Sequence, residues 1–425
     1  MNKPKRGTLT AIRRLAVDVT PLRQSRDFRL LWVGELISNT GSQVTVVAVF
    51  IQVFELTDSS AAVGLVGLVQ LVGLVIATVL ASPLIDRVDR RNMLLVSAGG
   101  QAVASLALLG GALAGDPPIV LVYAAAAVSG GLAGVSLSTR AAVTPNVVPR
   151  SLLSSAMALN QVMFTTGLIV GPALGGVLVG RAGLAWAYGL DAATFGAAIV
   201  AVLLLSRQPP RRETAGQTQG WRSFVEGVRY LRGRPILQTI FTVDLIAMIF
   251  GMPRALFPVL AVERFDAGEE IVGALFSAVA VGALLGALTT GWVNRIRRQG
   301  LAVMVAVAVW GAGIVAFGLV GDHLWLAFAC LAVAGAADVV SAVFRGTILQ
   351  QSVPDDLRGR LSAVNILVVT GGPRLGDFEA GAVAALTSPT VSVVSGGAAC
   401  IVGVVVLSAL VPAFARYRRP EPEPT

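Results

Sequence analysis

Apolar residues run along the chain in long blocks separated by short polar or charged breaks. Crossing about 30 Å of hydrocarbon takes about 20 apolar residues in a helix. Twelve blocks reach that length, at roughly 30–54, 61–81, 93–114, 118–138, 157–180, 184–205, 236–261, 271–293, 301–320, 324–344, 361–387 and 390–413. Some breaks are long enough only to reverse the chain, as at Asp116-Pro117-Pro118, Arg181-Ala182-Gly183 and Ser388-Pro389. Consecutive blocks are therefore predicted to be antiparallel neighbours, and the expected fold class is an all-α integral membrane protein of twelve transmembrane helices.

The longest break, Ser206 to Pro235, is polar and separates two groups of six blocks. Within it Trp221, Phe224, Val225, Val228 and Leu231 recur at helical spacing, which predicts a short helix lying on the membrane surface. The expected organisation is a tail over 1–29, a six-helix half over 30–205, a central loop over 206–235, a second half over 236–414 and a tail over 415–425. The closing Pro-Glu-Pro-Glu-Pro-Thr reads as disordered.

Composition agrees: 55% of the 425 residues are hydrophobic and 13% charged, and the mean hydropathy is +0.77, which excludes a water-soluble domain. The net charge of +9 does not point to nucleic acid, because the cations lie between the apolar blocks. With the amino terminus in the cytoplasm, inner loops hold Arg87, Arg90, Arg91, Arg150, Arg295, Arg297, Arg298, Arg358 and Arg360, and outer loops only Arg181 and Arg264. The positive-inside rule therefore predicts a multi-pass protein of the cell (inner) membrane with both termini cytoplasmic. Residues 1–28 are basic but lack the apolar core of a leader, and read as a cytoplasmic tail. Cys330 and Cys400 sit in apolar runs without metal-ligand spacing, His323 lies in an outer loop, and no phosphate-binding loop is present. Neither a metal, a cofactor nor an enzyme is expected.

The halves are related in sequence. Arg140 to Asn160, RAAVTPNVVPRSLLSSAMALN, returns as Arg345 to Asn365, RGTILQQSVPDDLRGRLSAVN, with Arg, Val-Pro and Ala-x-Asn in the same places 205 residues on. The loop Ile85-Asp86-Arg87-Val88-Asp89-Arg90 is echoed by Val293-Asn294-Arg295-Ile296-Arg297-Arg298. Parallel repeats imply a pseudo-two-fold axis along the membrane normal and a substrate site between the halves.

Six plus six spans, a basic loop after span two and a long central loop resemble the major facilitator superfamily. Ser82-Pro83-Leu84-Ile85-Asp86-Arg87-Val88-Asp89-Arg90-Arg91 is similar to its signature loop, departing at Ser82, where glycine is usual. The resemblance implies a conformational loop in which Asp86 meets Arg140 and the amino end of span eleven, with Arg87, Arg90, Arg91 and Arg345 as further members; simple anchoring is the other reading of Arg90 and Arg91. Gly167, Gly171, Pro172, Gly175 and Gly176 in span five are similar to the exporters' glycine-proline motif, or else form an ordinary small-residue packing face. Arg26 to Trp32, Leu190-Asp191-Ala192 and Met252 to Pro258 resemble the enterobactin exporter and macrolide efflux branch. The arginine that many proton-coupled drug exporters carry in span four is absent from Ala124 to Gly134.

Charges inside spans are the candidate pathway, because each costs at least about 2.5–3.5 kcal/mol there. Glu35 in span one and Asp244 in span seven read as repeat-related acids, either carrying protons or bonding loop arginines; Glu35 is placed roughly 9 Å deep. Span eleven holds Arg374, Asp377 and Glu379 where span five holds its glycines. Arg374 and Asp377 are expected to pair at i, i+3, leaving Glu379 for Arg254 of span seven; the cluster is either a structural ion-pair network or a set of charges that exchange partners. Asp191 and Asp338 read as helix-packing partners. The expected function is secondary active export of a small amphipathic organic molecule, siderophore-like or drug-like, by proton antiport with alternating access through a lipid bilayer. The alternatives are a facilitator or importer of the same superfamily, or a non-transporting sensor or assembly subunit.

Overall fold

The computed structural model describes residues 18–85, 87–115, 117–209 and 221–419. Asp86, named above for the signature loop, lies outside them, as do residues 1–17 and the closing Pro-Glu-Pro-Glu-Pro-Thr; the side chains of Arg358 and Arg360 are also outside the description.

Twelve long helices follow the twelve apolar blocks: α1 Arg26–Thr57, α2 Ser60–Ile85, α3 Arg90–Ala114, α4 Ile119–Val147, α5 Leu153–Ala182, α6 Leu184–Leu203, α7 Pro235–Phe250, α8 Glu269–Thr289, α9 Gln299–Leu319, α10 Leu324–Ser352, α11 Asp355–Leu386 and α12 Pro389–Leu410. No strand occurs among the described residues. Eleven spans are long and apolar enough to cross a membrane by length and composition; α11, with 32 residues, has the length but carries charge in its middle. Helices α1, α4, α5, α10 and α11 run one to three turns past the apolar blocks, because a hydropathy window stops at the hydrocarbon edge while backbone hydrogen bonding continues. The surface helix is present at Trp221–Leu231. Large apolar side chains point outward, among them Leu80, Leu113, Leu288, Trp325 and Leu386, an arrangement suited to lipid and not to water.

Span seven departs from expectation. It is not continuous over 236–261 but stops at Phe250 and resumes, after the turn Arg254–Leu256, as a short helix Phe257–Glu263. Pro253 has no N–H to donate and clashes with the preceding turn, and Gly251 ahead of it has no side chain to hold helical geometry.

Packing repeats between the halves. In the first, α1 packs on α5 and α6, α2 on α4, and α3 on α4 and α6; in the second, α7 packs on α11 and α12, α8 on α10, and α9 on α10 and α12. The halves join through α2 against α11 and α5 against α8. The ends of α4, α6 and α12 and the loop after α8 lie at one basic end. There Ser25, the N-cap of α1, donates to the Val147 carbonyl at 2.6 Å. The segment after α12 is strapped there too: the Gly300 and Arg419 amides donate to the Tyr417 and Arg297 carbonyls at 3.3 and 3.0 Å, and the Tyr417 hydroxyl lies 3.3 Å from Ser352 Oγ.

Candidate functional site

Charges gather between the helices in two repeat-related places and one that is not repeated. In the first half Arg140 of α4 is ion-paired with Glu35 of α1, and its Nε donates to Ser136 Oγ at 3.0 Å. In the second, Arg345 of α10 lies 2.8 Å from Asp244 of α7 and donates to Ser341 Oγ at 3.1 Å. The register is the same in both. Each acid stands nine residues after the start of its helix, each arginine seven before the end of its own, and each serine four before its arginine. Both acids therefore lie about 14 Å along their helices from the first helical residue. Arg140 thus spends its charge on Glu35. Arg345 likewise serves α7, and it also stands 3.9 Å from Asp338, whose counterpart 205 residues earlier is Ala133. The packing role expected of Asp338 becomes membership of a two-acid, one-arginine cluster.

The unrepeated place is the break in span seven. Trp310 of α9 donates its indole N–H to the Gly251 carbonyl at 3.1 Å, satisfying an acceptor that the interrupted helix leaves free. Arg254, opening the next turn, reaches α11 and binds Asp377 through both carboxylate oxygens, Nη2 to Oδ2 at 2.6 Å and Nε to Oδ1 at 3.3 Å. This corrects the expected pairing. Asp377 belongs to Arg254, and Arg374 does not take it but donates to the Thr370 carbonyl at 2.5 Å. Glu379 makes no ion pair with Arg254; it sits near Cys400 of α12. Helical spacing puts Arg374 and Asp377 on neighbouring faces, but the bidentate geometry offered from the break wins the carboxylate.

The glycine-proline motif of α5 is a close-packing surface with two sides. A Cβ at Gly167 or Gly171 would collide with Asn39 or Gln43 of α1, and Gly175 faces Val44. A Cβ at Gly176 would meet the Glu269 carbonyl and Gly273 Cα of α8 at 2.6 and 2.9 Å, and the Pro172 carbonyl presses on Gly273. The motif therefore joins α1, α5 and α8 across the two halves. Gly64 and Gly67 of α2 make the matching approach to Gly381, Asp377 and Arg374 of α11. These tight inter-half contacts fall toward the end of the bundle opposite the basic one.

At the basic end, Arg90 donates to the Ala142 carbonyl at 3.1 Å and Arg91 to Val202 at 3.0 Å and to Leu203. Both arginines therefore tie α3 to the ends of α4 and α6; Arg87 is exposed. The roles of two residues at this corner, Asp89 and Gln208, were missed from sequence. Asp89 caps α3 by accepting from the Arg91 amide at 2.9 Å, and it also accepts from the Gln208 amide at 3.0 Å; the signal was an Asp just before a helix start. Asp191 is the packing partner expected, accepting from Thr45 at 2.7 Å and Ser105 at 2.6 Å. His323 is exposed beside Asp322.

A twelve-helix bundle of two parallel repeats, with charges buried between helices and glycine seams between the halves, defines a major facilitator transporter. The chain belongs to the transmembrane secretion effector family of that superfamily, whose profile matches residues 16–418. It is 29% identical over 413 residues to the enterobactin exporter EntS of Citrobacter koseri, covering 96% of this chain and 97% of that one. The EntS of Shigella boydii serotype 18 is 29% identical over 415 residues, with the same coverage. Among solved structures, the nucleoside transporter NupG superposes with a TM-score of 0.70 at 12% identity, over 92% of this chain and 100% of that one. A bacterial homologue of the iron transporter ferroportin in an inward-facing state gives 0.68 at 17% identity, over 92% and 98%. The protein is a multi-pass membrane efflux transporter, not an enzyme.

Proposed function

We propose that the chain exports a small amphipathic organic molecule, siderophore-like or drug-like, across the cell (inner) membrane by proton antiport, its two halves rocking about the site between them. The Arg254–Asp377 pair carries the reading. It ties the break in span seven to α11 within the second half, against the seam that α11 forms with α2, and its acid can take up a proton once its arginine withdraws. Kinship to named enterobactin exporters over nearly the whole chain supports the direction and the substrate type. Seams closed away from the basic end suit one end state of alternating access, with the basic end and both termini in the cytoplasm. Glu35 and Asp244, each paired with an arginine of its own half, are the other acids of the proton pathway, and protons are the coupling ion.

The test is uptake into inside-out vesicles of a labelled catecholate siderophore and a macrolide, with and without a protonophore, for wild type and Asp377→Asn. Protonophore-sensitive accumulation lost in the variant is the expected result. Accumulation indifferent to both protonophore and variant rules out proton coupling through this pair.

A further inference from the structure

The charges at the break do not balance. Arg254 and Arg374 bring two guanidinium groups together, within electrostatic reach of one another and of one carboxylate, Asp377. Arg254 takes both oxygens of that carboxylate. Arg374 is left with the Thr370 carbonyl on Nη1, and its buried Nε has no partner. Glu379 does not restore the balance: two residues beyond Asp377 it points about 200° round the helix, toward Cys400 on α12. The other central cluster, Asp244, Asp338 and Arg345, carries the opposite excess and cannot supply a free anion, because its arginine already serves both acids.

Arg374 lies about 18 Å from the Leu386 end of α11. A surplus cation so deep costs several kcal/mol unless something compensates it. The vacant Nε and Nη2 edge is the one on which a guanidinium receives a two-oxygen anion through paired hydrogen bonds. Arg254, with a side chain 26% exposed, adds a second positive charge on the accessible side. Met252, half-buried at the break, offers apolar surface to the rest of a ligand.

The geometry points to an anion-binding site at Arg374 and Arg254, which receives the carboxylate or catecholate group of an amphipathic organic anion while its apolar body lies against the break in span seven. This assignment names the substrate class of the proposed exporter and rests on that reading. It is tested without any gradient, so that loss of proton coupling and loss of anion binding are separate results.

The experiment is calorimetric titration of the purified full-length protein in detergent with salicylate and with salicylamide, its uncharged counterpart. Wild type binds salicylate at least about tenfold more tightly than salicylamide. Arg374→Gln loses roughly tenfold or more of the salicylate affinity, and Arg374→Lys retains most of it. Asp377→Asn, which removes the competing carboxylate, binds salicylate more tightly than wild type; a merely disrupted fold would not produce that gain. Equal affinity for the two probes, no salicylate binding by wild type, or Arg374→Gln binding as wild type does would each overturn the assignment.

Discussion

Replacing Gly176 with alanine puts a methyl group into the tight seam between α5 and α8. The new Cβ would stand 2.6 Å from the Glu269 carbonyl oxygen and 2.9 Å from Gly273 Cα, and both are backbone, so no rotamer change relieves the contact. Ordinary carbon contacts need about 3.5 Å, and α5 and α8 must part by more than half an ångström to provide it. Overpacking of this kind costs about 1–3 kcal/mol, and it falls only on the state in which this seam is closed. At about 1.4 kcal/mol per factor of ten, the equilibrium moves toward the open seam by about five- to 150-fold. Ile51, which lines the small cavity between α1, α8 and the second part of span seven with Pro258 and Val272 and is 4% exposed, reports the change. In a background with Cys330 and Cys400 replaced by serine, Ile51→Cys should react with a water-soluble maleimide about five- to 150-fold faster when Gly176→Ala is added, and transport should fall. Unchanged labelling together with unchanged transport would show that the seam does not open during the cycle.

Arg345→Ala strands Asp244 and Asp338 inside the bundle at a cost of about 3–5 kcal/mol, so the unfolding midpoint in detergent should drop sharply and recover in part when Asp244→Asn is added; an unshifted midpoint refutes the pairing. Trp310→Phe frees the Gly251 carbonyl and should cost about 1–3 kcal/mol by the same assay, whereas Trp186→Phe on the outer surface should stay within about 0.5 kcal/mol. Thr45→Ala and Ser105→Ala each remove one donor to Asp191, about 1 kcal/mol apiece, and a double-mutant cycle should show non-additivity because the two share one oxygen. Strict additivity would mean that Asp191 does not couple α1 to α3.

The spans were legible because hydrophobic length is set by the bilayer and not by neighbours. The repeat was legible too: Arg140 and Arg345, and the acids Glu35 and Asp244, mark it in the sequence, and the structure extends it to Ser136 and Ser341. Pairing was not. Asp377 stands three residues from Arg374 on its own helix, yet it bonds Arg254, whose reach depends on where span seven breaks. The Gly251-Met252-Pro253 string that makes the break was in view, but a proline inside a span can also be absorbed without a break, as Pro145, Pro172 and Pro373 are. Which of these outcomes holds is decided by a tryptophan from α9, some 60 residues away, that can satisfy the freed carbonyl.

The strap beyond α12 bears on how the chain is made. Phe414 is fully buried, and a Cβ at Gly300 would collide with its carbonyl, so the base of α9 is shaped to receive a segment synthesised after all twelve spans have entered the membrane. Until that segment arrives, the first turn of α9 and the last of α10 lack their clasp. A chain cut at Val411 would hold every span and still leave the second half unfastened at its basic end, so an intact set of spans is no proof of a finished transporter. For the same reason, a reporter fused to this protein belongs after Arg419, where the clasp is already closed.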